Sequence, residues 1–251
     1  MSGHSHWSTI KRKKGAADAK KGAVFTRAAR EIALAARRGG GDPGMNVGLY
    51  LAIERARAVN MPKDSIERAI SRGTGDDKSG VELEEIIYEG YAGHSVAVMI
   101  ECVTENRNRT VAEVRHILSR AGGNLAENGS VSWQFNRMAY FSIPEEGQNF
   151  DKIFELAVEA GADDVQLEEG YIEITANVDA FKEISESLKA AKIKPEEAKL
   201  RYFPKMEVDL PKDQALSVMR LIEALEDSDD IQNVYYNLNV PDEVWAELEE
   251  E

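Results

Sequence analysis

The sequence predicts an α+β protein: an N-terminal three-helix bundle followed by two small α+β domains, one ferredoxin-like and inserted in the other. Three observations lead there. Apolar residues recur at helical spacing through the first 74 residues, whereas from about residue 86 strand-length runs alternate with helices. Residues 139–203 carry the element order βαββαβ. The strands and single helix predicted before that block are too few to close a two-layer domain, so they need the elements that follow it. The expected domains are therefore 1–74, 81–136 joined with 206–251, and 137–205.

The first helix is expected to place Phe25, Ala28, Ala29, Ile32 and Ala36 on one side, with Lys21, Arg27, Arg30 and Arg37 largely elsewhere. Gly39, Gly40, Gly41 and then Asp42-Pro43-Gly44 end it. A second helix runs from near Asn46 to Val59, with Leu49, Ala52, Ile53 and Ala56 inward. A third starts at Pro62, whose missing N–H costs nothing in a first turn, and stops at Gly73. Residues 74–80 read as a linker. Gly75 and Gly80 have phosphate-loop spacing, but Val81 and Glu82 stand where Lys and Ser or Thr would be required, which excludes a nucleotide loop.

Strands follow at Ile86 to Tyr91 and Ser95 to Val103, then a helix over Thr110 to Ala121 ended by Gly122-Gly123. Ser130 to Phe135 is expected as a strand with Val131, Trp133 and Phe135 inward by the two-residue period. The βαββαβ block comprises strands at Ala139 to Ile143, Val165 to Leu167, Tyr171 to Thr175 and Leu200 to Phe203, with helices at Phe150 to Ala160 and Asp179 to Ala190. A helix over Pro211 to Leu225 and a strand over Ile231 to Leu238 complete the chain's elements.

The 251 residues carry a net charge of −14, which by itself opposes contact with phosphate. The distribution reverses this. Residues 1–80 hold sixteen Lys and Arg against eight Asp and Glu, a net of +8, and the rest of the chain is −22. Within residues 1–38 ten bases face only Asp18 and Glu31. Lys11, Arg12, Lys13 and Lys14 form a cationic arm, and Lys20, Lys21, Arg27, Arg30 and Arg37 carry the charge onto the first helix; phosphates are the natural target. His4, His6 and Trp7 are candidates for stacking on bases, beside the simpler reading that Trp7 packs on the bundle. In Asn106-Arg107-Asn108-Arg109-Thr110, capping accounts for the Asn and Thr, while the forks of Arg107 and Arg109 suit phosphate or carboxylate.

Other classes are not supported. No window approaches the roughly 20 apolar residues of a membrane span. Cys102 is the single cysteine and reads as a small core residue, so no disulfide or cysteine-rich metal knuckle is available. The N-terminus lacks an apolar export signal, which points to a cytoplasmic protein. No catalytic constellation, metal site or cofactor site emerges; Glu145-Glu146 and the run Asp227 to Asp230 read as solvated.

Several long motifs carry a resemblance. They are GHSHW at Gly3 to Trp7 with Ile10, Lys13, Lys14, Asp18 and Lys20-Lys21, then Phe25-Thr26, Arg30-Glu31-Ile32 and Gly40 to Pro43. NMPKDSIERAI at Asn60 to Ile70, YEGY at Tyr88 to Tyr91, ENRNRT at Glu105 to Thr110 and the Gly122 to Val131 segment add to these. Across its length the chain resembles the YebC/PmpR family, which is similar to the mitochondrial translational activator of cytochrome oxidase and whose bacterial members are described as probable transcriptional regulators. Ala92-Gly93-His94 lacks the Pro-Gly often found after YEGY, and Trp133-Gln134-Phe135 replaces a common Met-Phe. The resemblance implies three domains, the third inserted in the second, and a nucleic-acid-binding regulator of gene expression.

Two functions stay open at this level. One is a translation factor whose basic module docks on ribosomal RNA, with the ribosome as partner; the other is a DNA-binding transcriptional regulator. The third helix favours the first, because Lys63, Asp64, Glu67 and Arg68 give it a mixed surface that a major groove would repel. A third reading is a protein adaptor whose basic end binds an acidic partner.

Overall fold

A computed structural model describes residues 21–76 and 83–250, with side chains over 24–76 and 83–248. Its described elements are α1 (Lys21–Gly39), α2 (Val47–Ala58), α3 (Lys63–Thr74), β1 (Glu84–Tyr91), β2 (Ala97–Thr104), α4 (Arg107–Arg120), β3 (Asn124–Leu125) and β4 (Phe135–Pro144). They continue with α5 (Phe150–Glu159), β5 (Ala162–Glu168), β6 (Tyr171–Asn177), α6 (Phe181–Ala190), β7 (Glu197–Pro204), β8 (Val208–Asp209), α7 (Lys212–Glu226), β9 (Ile231–Tyr236), β10 (Leu238–Asn239) and α8 (Asp242–Glu250). The fold is α+β: three N-terminal helices, then two small α+β assemblies, one of them ferredoxin-like and inserted in the chain of the other.

Two compact units result. The first holds the described residues up to Arg30, residues 83–136 and those from Phe203 onward; the second holds Glu31 to residue 76 and Arg137–Tyr202. The division falls inside α1.

In the first unit the sheet order is β3-β1-β2-β9. β1 and β2 pair antiparallel from Glu84↔Thr104 to Tyr91↔Ala97, and β2 pairs antiparallel with β9 across a bulge at Glu101/Cys102. A strand from residues 231–236 thus completes a sheet begun at residue 84. One face of that sheet, with Val98, Ile100, Val234 and Tyr236, packs on Val114 and Leu118 of α4 and Val218, Leu221 and Ile222 of α7. Helix α8 has no counterpart among the predicted elements, yet its Val244, Trp245 and Leu248 are buried in the same core. Cys102 is buried there too, and burial is the main cause that pushes its thiol up to about 12, so it is an inert packing residue.

The loop before β4 corrects one expectation. Residues 132–134 form a 3-10 turn, and Trp133 is 66% exposed although Val131 and Phe135 are buried. The cause lies on β1. The Glu89 carboxylate, itself buried, accepts the N–H groups of Gly129 (2.7 Å), Val131 (2.7 Å) and Ser132 (2.9 Å). Three backbone donors on one carboxylate bend the chain and interrupt the alternation. The indole N–H of Trp133 donates locally to the Ser130 carbonyl (3.0 Å).

In the second unit βαββαβ forms a sheet of order β5-β6-β4-β7, with β4–β6 and β5–β6 antiparallel. This is the ferredoxin-like order. Phe141, Ile143, Ile172 and Ile174 face Ile153 and Ala157 of α5 and Ile184 and Leu188 of α6. Leu51 of α2 joins this core, and Arg55 donates to the Glu196 carbonyl (3.1 Å). Helix α2 starts where its cap dictates: the Asn46 side chain accepts the Leu49 N–H at 3.0 Å.

Gly73 does not stop α3. That helix runs to Thr74, and Gly75, at φ 82°, is the left-handed cap. A Cβ at Gly73 would lie 2.2 Å from the Ala33 carbonyl oxygen and 2.8 Å from the Ala36 Cβ, so this glycine lets two helices touch. Gly73→Ala is expected to destabilise the second unit by about 1–3 kcal/mol through overpacking, against a helix-propensity gain of about 1 kcal/mol. Thermal unfolding would show it; a raised melting temperature would mean that α1 and α3 separate freely.

Candidate nucleic-acid interface

His4, His6, Trp7, Lys11, Arg12, Lys13, Lys14 and Lys20 lie outside the described residues. Lys21 opens α1, and its side chain is likewise outside them. The remaining candidates, Arg27, Arg30, Arg37, Arg107 and Arg109, divide into two kinds.

Arg37 belongs to the first kind. It stands exposed with Arg38 in the last turn of α1, where cations complement the partial negative charge of a helix C-terminus. Arg107 is exposed in the first turn of α4, and its backbone carbonyl accepts the Tyr88 hydroxyl at 3.5 Å.

Arg27, Arg30 and Arg109 form the second kind and converge on the loop 226–230 of the first unit. Arg27 donates to the carbonyls of Glu226 and, at 3.5 Å, Ser228. Arg30 donates to the Asp229 carbonyl and pairs with the Asp230 carboxylate at 2.7 Å, with the two side chains only 10% and 3% exposed. Arg109 reaches both oxygens of the same carboxylate, at 2.9 and 2.8 Å. The hydroxyls of Thr104 (3.1 Å) and Thr110 (2.7 Å) also donate to it. Arg30 therefore departs from the expected exposed cationic face. It is buried, because Asp230 offers it a partner that water and phosphate cannot displace without exposing a carboxylate already desolvated.

Asp230 is the residue that sequence reasoning missed. It was grouped with Asp227 to Asp229 as solvated, yet it is 2% exposed. Burial alone would raise its pKa, but hydrogen bonds from Arg109 and Thr110, the charge of Arg30 and the Thr104 hydroxyl outweigh it and hold the carboxyl below its ordinary value. Glu89 behaves alike: burial raises it, and the three backbone donors lower it further than burial lifts it. Both groups bind fewer protons folded than unfolded. Their contribution is present above the unfolded carboxyl range of about 4 and is lost as the pH falls through the lower folded values. Denaturant unfolding of the first unit should therefore weaken steeply below about pH 4, and less steeply in an Asp230→Asn, Glu89→Gln double variant. Equal acid sensitivity of the two proteins would contradict this.

The exposed face of α3 is internally paired. Lys63 lies 3.5 Å from Glu67, and Arg68 donates to the Asp64 carbonyl (3.2 Å) and the Ser65 hydroxyl (3.1 Å). Its cations are partly occupied by its own acids and backbone, unlike a helix built to read base edges. Among the described residues no group of three or more His, Cys, Asp or Glu side chains could hold a metal ion. No helix of the described residues is long and apolar enough to cross a membrane.

Comparison with known proteins adds three findings. Residues 5–76 match the family described as the TACO1/YebC protein N-terminal domain, and residues 83–238 match the TACO1/YebC second and third domain. A relative from Geotalea uraniireducens is 49% identical over 243 residues, covering 97% of this chain and 98% of its own length; one from Geobacter sulfurreducens is 48% identical, covering 99% and 100%. Both are named probable transcriptional regulatory protein. The crystal structure of a conserved hypothetical protein from Aquifex aeolicus superposes with a TM-score of 0.79 at 40% identity, covering 90% of this chain and 93% of that one.

Proposed function

The chain belongs to the TACO1/YebC family, and from that premise we propose that it is a non-enzymatic regulator of gene expression that binds nucleic acid through its basic N-terminal residues. Within that class we infer action on translation, through ribosomal RNA. The division into residues 1–74, 81–136 with 206–251, and 137–205 and a cytoplasmic location are parts of the same proposal.

One observation carries it: ten bases stand against two acids in residues 1–38 of a chain whose net charge is −14. Such segregation creates a local positive potential that an acidic body would otherwise cancel. Arg37 in the second unit and Arg107 in the first each stand exposed, while Arg27, Arg30 and Arg109 hold the first half of α1 and the start of α4 on one loop of the first unit. Recognition of shape and backbone suits this set, since the exposed surface of α3 mixes acids with bases. The relatives' names support a second reading, transcriptional regulation through DNA.

Binding of the full chain to structured RNA and to random duplex DNA at matched salt separates the two. About six phosphate contacts predict a loss of roughly a thousandfold in DNA affinity between about 50 and 200 mM salt. The translation reading requires RNA to bind more tightly than duplex DNA. Protection of one defined duplex sequence over unrelated DNA would replace it with the transcription reading.

A further inference from the structure

Beyond nucleic-acid binding, we propose that the β5 edge of the ferredoxin-like sheet, unpaired among the described residues, is a docking surface for a basic, apolar-studded segment of another protein. Helix α5 carries Phe154 and Val158 one turn apart, 42% and 48% exposed. Phe150 precedes them by a further turn, its ring centroid 6.1 Å from that of Phe154. The helix has already buried its inward face through Ile153 and Ala157, with Phe150 packed partly against the same core, so Phe154 and Val158 form a second apolar stripe outside that core. Strand β5 supplies the neighbouring element. Val165 packs in the same core as Ile153 and Ala157, and Leu167, two residues on and on the same face, is 48% exposed. β5 is also one of the two outermost strands, and among the described residues it pairs only with β6, from Asp164 to Glu168. An edge strand next to an exposed apolar stripe is what strand addition uses: backbone hydrogen bonds align the guest and alternate side chains fill the stripe.

Charge decides the occupant. Residues 150–170 contain seven carboxylates and one lysine, and Glu155, Glu159 and Asp163 stand exposed around the stripe. This rim repels nucleic acid, anionic lipid and the same surface on a second copy of the chain. A polypeptide with alternating cationic and apolar residues satisfies all three features, laying apolar side chains on Phe154, Val158 and Leu167 and cations on the rim.

The test uses the full chain and a ten-residue peptide of alternating Lys and Val, with alternating Lys and Ser as the control. The Lys-Val peptide should bind by fluorescence anisotropy and slow amide exchange in β5. A Phe154→Ser, Val158→Ser variant keeps every charge and loses no buried side chain, so the fold is retained; it should lose roughly tenfold or more in affinity, as truncation of interface anchors does. Unchanged affinity in that variant, or equal binding of the Lys-Ser peptide, would reduce the effect to the body's general acidity and overturn the proposal. Concentration-dependent dimerisation of the free chain that the variant abolishes would overturn it as well, assigning the surface to self-association.

Discussion

Asp230→Ala should lower the unfolding free energy of the first unit by about 3–5 kcal/mol, the cost of leaving one member of a buried ion pair unpartnered. Four side chains lean on this carboxylate, but they differ in what remains once it is gone. Arg109 is 56% exposed on its side chain and returns to water. Thr104 and Thr110, whose hydroxyl oxygens lie 2.8 Å apart, can turn one freed proton toward each other. Arg30, only 10% exposed, keeps the Asp229 carbonyl but no counter-charge among the described residues, and most of the loss resides there. Replacing both Arg30 and Asp230 with apolar residues of similar volume should recover much of it, because the pair's desolvation is removed along with its attraction. Denaturant titration of the three proteins measures both effects. A loss below about 1 kcal/mol for Asp230→Ala would place the hub at the surface in energetic terms and remove the account of how the start of α1 is held.

Reversing Lys13, Lys14, Lys20 and Lys21 to Glu should cut affinity for ribosomal RNA by on the order of a thousandfold or more and reduce the salt slope by about 3–4. Four phosphate contacts are lost and four repulsions are added. The unfolding profile of the body should not change, since the described partners of the Asp230 carboxylate are Arg30, Arg109, Thr104 and Thr110. Retained affinity would move the binding surface to the exposed Arg37 or Arg107, where a second reversal would find it.

What the amino-acid sequence discloses follows the range of the interactions involved. Helix α2 was legible almost to the residue because its start is set by Asn46 capping Leu49 and its inward face by four apolar residues at a 3.6 period. The ferredoxin-like order was legible because each element carries its own period. Gly73 misled because a glycine near a helix end reads as a stop, and only the packed structure shows the Ala33 carbonyl against it. Trp133 misled because alternation continues through Val131 and Phe135, while the carboxylate that bends the chain sits some forty residues earlier on β1. Asp230 was hidden by its neighbours: Asp227, Asp229 and Asp230 read as one solvated run, although Arg30, Thr104, Thr110 and Arg109 reach the carboxylate of only the last of them. Of the candidate site, the charge segregation was readable because it is a property of composition along the chain. Which arginines face water and which serve the fold was not, because that depends on a partner 120 to 200 residues away.

The most direct test of a translational role is co-sedimentation of the full chain with ribosomes from a cell lysate, alongside binding to random duplex DNA at the same salt, for the wild type and the four-lysine variant. The account predicts retention on ribosomes by the wild type, its loss in the variant, and only weak, salt-sensitive binding to DNA. Absence from ribosomes together with tight, sequence-dependent DNA binding would contradict it and make the protein a transcriptional regulator.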